Sequence, residues 1–423
     1  MTEQTVNTPG AYPGIVTKVP LGYVPHAIAR MHSSQNDAFG RVRVSQPETI
    51  FDSKMLHDAA PLFWDDQETS GGGTGSTHNP DRASVIMDVS ATTAGVRTRQ
   101  TFQRFNYQPG KSQLIFLTAV IAPEGGQVGI TRRMGYFSGE NGLYFELTGD
   151  VLSVGKRSHV TGSTVDTLVN QADWNIDTMD GTGNSAVTLD LTQSQIMVID
   201  FEWLGVGSVR YGWVVNGAII YCHQTNHANI LNSVYMSTPN NPMRYEIEND
   251  GTGAAATLEH ICSTVISEGG SQKTGALHYA STNGTHVDAN VIGTLYAIVG
   301  LKLQANYKDD TVDIEGISLL AETNDNFEWI LLLNPTVAGT FTYGNLANSA
   351  VQVARGATAN TVTGGTPLTG GWIASNGTDT LEVPNARRLG AAIDDTLDTI
   401  VLCARPLSAN ADIQGSITMR QIS

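Results

Sequence analysis

A chain of 423 residues can bury a sizeable core without disulfides or metals, and its length predicts two packed bodies plus a tail. Only 15% of the residues are charged, and Gly, Thr, Ser and Asn fill the difference, the usage of short strands joined by tight turns. The balance of 24 basic against 40 acidic residues, a formal charge of −16, repels nucleic acid and anionic membranes and argues against genome packaging or DNA binding.

In chain order, residues 1–38 carry Pro9, Pro13, Pro20 and Pro25 with no hydrophobic period, which predicts an extended arm lying on another surface. The first ten residues lack a basic and then apolar leader, and no apolar run approaches 18 residues, so neither export nor membrane insertion is expected. From Phe39 to about residue 304, strand-like runs alternate with turn signals and predict a central antiparallel β-sandwich. Gly71–Pro80 and Ser267–Asp288 read as long polar loops within it.

The best-determined element is a hairpin. Gln195–Leu204 alternates, with Met197, Ile199, Phe201 and Trp203 on one face and Val198, Asp200 and Glu202 on the other. Val209–Val215 and Ala218–Gln224 then flank Asn216-Gly217, a pair suited to a type I′ turn because both loop positions need positive φ. A two-residue loop sets Val215 opposite Ala218, Trp213 opposite Ile220, Tyr211 opposite Cys222 and Arg210 opposite His223. Residues 305–423 repeat the style, with strands expected near 313–321, 328–333, 341, 351–354, 381–383, 399–404 and 416–421. Asn334-Pro335, Gly364-Gly365 and Gly370-Gly371 read as the turns between them, and the whole fits a smaller C-terminal β-sandwich. Val287–Asn306 is apolar but β-branched and is read as strand.

Chemical motifs are sparse. Cys222, Cys262 and Cys403 are far apart and form no CxxC, which argues against a disulfide framework or zinc cluster and for folding in a reducing compartment. Gly110-Lys111-Ser112 and Gly155-Lys156 lack the first glycine of a phosphate-cradling loop. Asn283-Gly-Thr and Asn376-Gly-Thr match the glycosylation sequon but read as turns. Asp200 and Glu202, two apart on a strand, would lie about 7 Å from each other on one face, a spacing compatible with glycoside hydrolysis. A polar patch on a solvated strand face is the expected reading of the pair. His223 and His227 are four apart, but the predicted register sets Arg210 beside His223, a poor neighbour for a cation. Asp177, Asp180 and Asn184 lack the full ligand spacing of a calcium loop. No cofactor or metal is expected. Trp372 and Tyr343, in a Gly/Thr/Asn setting, either offer a sugar-stacking surface or fill the core of the C-terminal sandwich, and a small β-domain's need for interior aromatics favours the core.

The run Phe39-Gly-Arg-Val-Arg-Val-Ser-Gln-Pro-Glu-Thr-Ile-Phe-Asp-Ser-Lys54 resembles a segment of virion structural proteins of tailed bacteriophages and some large algal viruses. Arg97–Gln100, Tyr107–Gln113, Arg210–Gly217 and Asn334–Gly339 are similar to further stretches of that family. The resemblance implies a place in a virus particle, made in the host cytoplasm and released by lysis, more than it implies a role. The partners it implies are other virion proteins and further copies of this chain (a trimer by general viral usage); a host-surface glycan is a further expected partner, on the fold analogy given below. Within these stretches Arg41 and Arg43 alternate with Val42 and Val44, a strand with one basic face. Asp52 and Lys54 are placed to pair with Arg97, Arg99 or Lys111. With Phe51 these residues make either a clamp on a neighbouring subunit or an internal polar network between sheets. Residues 115–265 also look like a concanavalin- or laminin-G-like jelly roll, an analogy of fold that names no sugar-binding residue. The expected function is therefore a non-enzymatic structural component of a phage head or tail. The rival readings are a carbohydrate-binding adhesin and, behind it, a polysaccharide-degrading tail enzyme.

Overall fold

A computed structural model describes residues 3–5, 18–20, 36–43, 46–270, 274–322, 326–374, 378–382, 388–407 and 410–422, with side chains omitted at 3–5, 18–20 and 378–382. Its described elements are antiparallel strands and two short 3-10 turns. Apart from the strand pair Glu3–Thr5 and Lys18–Pro20, the predicted N-terminal arm lies outside the described residues up to Asn36, as do Val44 and the Asn376 sequon.

The chain divides into two compact units, residues 1–100 with 107–271 and residues 101–106 with 272–423. The border expected at 304/305 thus falls some thirty residues earlier. The reason is strand pairing: Ala276–Ser281 bonds along Ala411–Ile422, and Tyr296–Leu303 lies between Val351–Arg355 and Thr399–Pro406.

The first unit is a sandwich of two sheets. One runs from the edge strand Val165–Asn170 through Val151–Ser158, Gly142–Gly149, Gln127–Phe137, Met243–Asn249 and Gly95–Thr101 to Trp64–Gly71. The other runs from Ala218–Asn226 through Ser208–Val215, Ser194–Phe201, Ser112–Val120, Ala256–Glu268 and Ser84–Val89 to Thr74–Asn79, with Glu48–Lys54 also on Ala256–Glu268. Period-2 alternation turns one side of each sheet inward, and aromatic rings join the two layers. Phe145 meets Trp213 at 5.0 Å, Tyr136 meets Phe201 at 5.5 Å, and Tyr245 stacks on His260 at 3.9 Å. Burying each such side chain stabilises the fold by roughly 1.5–3 kcal/mol.

The hairpin forms as expected at its tip, with Asn216 and Gly217 both at positive φ and Val215 opposite Ala218. Farther down, a β-bulge intervenes. Tyr211 faces His223 and Gly212 faces Tyr221, so Cys222 is the extra residue and Arg210 lies opposite Gln224, not His223. Gly71–Pro80 is also not a loop: a turn at Gly71 and Gly73, both at positive φ, leads into the strand Thr74–Asn79. Ser267–Asp288 likewise contains the strand Ala276–Ser281, while Asn283-Gly284 inside it is the predicted turn.

The second unit packs a five-stranded sheet against a six-stranded one. Their shared core includes Ile298, Leu301, Trp329, Leu331, Leu402, Ile417 and Met419. Val287–Asn306 is two strands, Val287–Ala289 and Tyr296–Leu303, and no strand forms at Phe341. Gly370-Gly371 is not a turn but the middle of the edge strand Thr366–Ile373.

Candidate functional site

The first candidate is the basic motif of the first unit. Residues 36–43 form a turn in place of the expected strand. Gly40, at φ 78, donates to the Asp37 carbonyl, and the Asp37 carboxylate receives the Arg41 backbone amide at 2.8 Å and its Nε at 2.7 Å. The turn straps onto the sheet: Ser208 Oγ donates to the Ala38 carbonyl and Arg210 to that of Asn36. Arg43 then reaches inward and pairs with Glu268 at 2.6 Å and with Asp200. The same Asp200 Oδ2 receives Arg210 at 2.5 Å and the Tyr221 hydroxyl at 2.7 Å. Burial alone would lower the Arg43 pKa, but Asp200, Tyr221 and Glu268 outweigh it and leave the guanidinium above its ordinary value.

Asp200 is 0% exposed, so its expected place on a solvated face is corrected. Its face of the sheet is covered at that end by the strap and the two guanidinium groups. Glu202 lies beyond the strand end; its Oε1 accepts from the Ser208 amide, and burial, with Asp37 adding, pushes its carboxyl up to about 7.

The other motif residues separate by face. Phe51 and Ser53 point inward and Asp52 and Lys54 outward, so the latter two pair with each other at 3.6 Å, 62% and 60% exposed, and not with Arg97, Arg99 or Lys111. Arg97 and Arg99 share Asp66, at 2.6 and 2.5 Å, and Arg99 also donates to the Ala59 carbonyl. Lys111 donates to the Gly270 carbonyl and to Gln108. Phe51 packs edge-on against Trp64. Arg43, Arg97 and Arg99 thus spend donors inside the unit, whereas Arg41, Asp52 and Lys54 face solvent.

The suspected ligand sets are engaged in local structure. His223 Nδ1 accepts the Asn175 amide, while His227 Nδ1 donates to the Gly207 carbonyl at 2.6 Å and its ring stacks on Tyr235. Asp177 accepts the Met179 and Ser185 amides, and Asp180 accepts from Thr178 and Thr182. Among the described residues, no group of three or more His, Cys, Asp and Glu is placed to hold a metal.

An Arg/Glu lattice on the outer face of the opposite sheet went unread in the sequence. Arg133 binds Glu146 and Glu246 at 2.7 Å each and Glu248 at 3.0 Å. Burial would raise the Glu246 carboxyl, but Arg244 and Arg133 outweigh it and hold the group at about 2. Glu146, Arg133 and Glu246 lie on three separate strands, and only the pairing of those strands makes them neighbours.

The second unit supplies the other candidate. Along the edge strand Thr366–Ile373, Gly371 faces Trp329 and Trp372 faces Glu328. A Cβ on Gly371 would sit 2.9 Å from Trp329 Nε1, so the glycine makes room for the indole. Trp329 is therefore the core tryptophan, 1% exposed, while Trp372 projects outward and is 72% exposed, against the expectation that it fills the core. Across the strands Glu328 pairs with Arg405 at 3.2 Å. On the same face Ile330 and Leu332 floor a cleft of about 510 Å³ bordered by Thr361, Thr363, Gly365 and Arg405. Tyr343 is half-buried against Phe341, with Lys302 Nζ 4.7 Å from its ring centre, and burial pushes its hydroxyl up to about 12. It packs over Gly300, three strands from Trp372, or roughly 14 Å by interstrand spacing, so the two aromatics do not form one platform.

No family model and no curated protein matches the sequence. Among solved structures the chain is similar to the carbohydrate recognition domain of Emp47p, at 9% identity over 52% of this chain and 96% of that one, TM-score 0.32. The legume lectin-like domain from Entamoeba histolytica shares 12% identity over 50% of this chain and 92% of its own, TM-score 0.28. The CBM2 module of the evolved Dit of Lactobacillus casei BL23 phage J-1 shares 6% identity over 54% of this chain and 99% of its own, TM-score 0.33.

Proposed function

We propose that this chain is a non-enzymatic structural component of a tailed-phage particle that contacts host-surface glycan through the Trp372 face of its second unit. The observation that carries the contact is the exposure of Trp372 beside a polar ion pair and an open cleft. A flat indole next to hydrogen-bonding groups offers a pyranose ring an apolar face to stack on and partners for its hydroxyls.

The particle assignment rests on the motif resemblance, and the homo-oligomeric state, with three copies, belongs to the same proposal. The solvent-facing Arg41, Asp52 and Lys54 remain for contacts between subunits or with other virion proteins. Against glycoside hydrolysis, Asp200 is buried with its Oδ2 held by two arginines and a phenol, so it is enclosed and not presented to a substrate. Immunogold labelling of intact particles with an antibody to residues 305–423 tests location: label on head or tail supports the proposal, and unlabelled particles oppose it. Adsorption of the purified chain to host cells tests the contact. Trp372→Ala is expected to abolish it, and undiminished adsorption by that variant would overturn the assignment.

A further inference from the structure

The first unit holds a second recess with no role in the contact proposed above. The strap residues Asp37, Phe39 and Gly40 form one wall. Glu202, Ser208 and Arg210 lie opposite, and Gln224, Asn226 and His227 close the end of a cleft of about 560 Å³. That size lies within the roughly 300–1,000 Å³ of small-molecule sites. Three buried polar atoms on its lining residues have no partner among the described residues: Glu202 Oε2, His227 Nε2 and Arg210 Nε. His227 is 2% exposed, and its Nδ1 carries the proton because it donates to a carbonyl, so Nε2 presents a lone pair. Native folds rarely leave such groups unmatched unless a ligand or water completes them.

We infer that this cleft binds an uncharged, polyhydroxylated ligand with the chemistry of a single pyranose unit. Charge decides against the alternatives. A cation would be met by the Arg210 guanidinium, and an anion by Glu202 and Asp37. A sugar hydroxyl both donates and accepts, so one ring can match the mixed carboxylate, imidazole, guanidinium and amide lining of the cleft. The amides of Gln224 and Asn226, joined at 2.8 Å, extend the same mixed chemistry along the rim. The strap explains why the site needs the Phe39-Gly40-Arg41 turn: Gly40, at φ 78, lets the chain fold back so that Phe39 walls the cleft while Arg41 lies 4.6 Å from its ring centre.

This inference stands independently of the Trp372 proposal, and one titration separates the two. The methyl glycosides of glucose, galactose, mannose and N-acetylglucosamine are titrated into the full chain by calorimetry and saturation-transfer NMR, with glucosamine and glucuronate as charged counterparts. At least one neutral glycoside is expected to bind the wild type and Trp372→Ala equally. It should bind Glu202→Gln and Gln224→Ala about tenfold more weakly, the effect of one lost hydrogen bond. Gln224→Ala guards against a folding defect in the first variant, since Gln224 lies on the rim and not in the core. Failure of every neutral glycoside to bind the folded wild type would overturn the inference. So would binding unchanged in both cleft variants, or tighter binding of a charged counterpart. Loss of glycoside binding in Trp372→Ala would assign the ligand to the second unit and overturn it too.

Discussion

The strap region of the first unit and the Trp372 face of the second invert the usual rule of charge outside and aromatic inside. Asp200 and Arg210 are buried and Arg43 half-buried at one, while the largest side chain in the alphabet stands in solvent at the other. Both follow from the two-residue period of a strand, which fixes which neighbours share a face but not what covers that face. Asp200 is tolerated in the interior because two guanidinium groups and a hydroxyl reach it. Trp372 is driven outward because the inward position beside it, Gly371, already accommodates Trp329. Position in a strand therefore shows orientation, and only the packing partner shows whether a residue is structural or free to bind.

The largest effects should separate the paired residues. Arg43→Ala leaves Asp200 and Glu268 short of a counter-charge and is expected to cost about 3–5 kcal/mol, read as a lowered denaturant midpoint with unchanged slope. Lys54→Ala, which removes an exposed pair, should cost no more than about 1 kcal/mol in the same titration. Equal losses would mean that the buried network is not what holds the strap. Trp329→Ala should likewise cost about 3–5 kcal/mol, whereas Trp372→Ala should stay within about 0.5 kcal/mol of wild type. A large loss from Trp372→Ala would make that residue a packing element and remove the basis for its contact role.

A smaller effect concerns Glu202. Its folded value of about 7 lies above the ordinary 4.5, so the folded state holds the proton more tightly than the unfolded chain does. That contribution to stability is complete below pH 4.5 and is lost as the pH rises through 7. Glu202→Gln should abolish this part of the decline when thermal midpoints are compared between pH 4.5 and 8. A wild type and variant with parallel profiles would place the carboxyl in water. Glu246 acts in the opposite sense: held at about 2, it adds stability above pH 4.5 that disappears as the pH falls toward 2. Arg133→Met should flatten that acid limb.

Much of the fold was legible because local rules sufficed. The all-β class, the Asn216-Gly217 hairpin and the Asn283-Gly284 turn each depend on residues a few positions apart. What stayed hidden depends on distance in sequence or on a weak pattern. Arg43 and Asp200 are 157 residues apart, so nothing local announced their pairing. Thr74–Asn79 is half-exposed and polar on both faces, so it lacks the alternation that marks a strand. Cys222 shifts the register by one because the bulge lets Tyr221 lie on the face of Asp200, a tertiary demand that a two-residue loop cannot reveal. Trp372 is expected in the core because a small β-domain needs interior aromatics, and Gly370-Gly371 reads as a turn. Both lie within an edge strand, and Gly371 is the space into which the Trp329 indole packs.

The most direct test of the account is a glycan array probed with the wild type and with Trp372→Ala at equal concentration. The account predicts binding to host-surface saccharides by the wild type and, in the variant, loss of every signal except that of the simple neutral sugars held in the first-unit cleft, with the thermal midpoint unchanged. Equal binding by both proteins, or loss of signal only together with loss of folding, would contradict it.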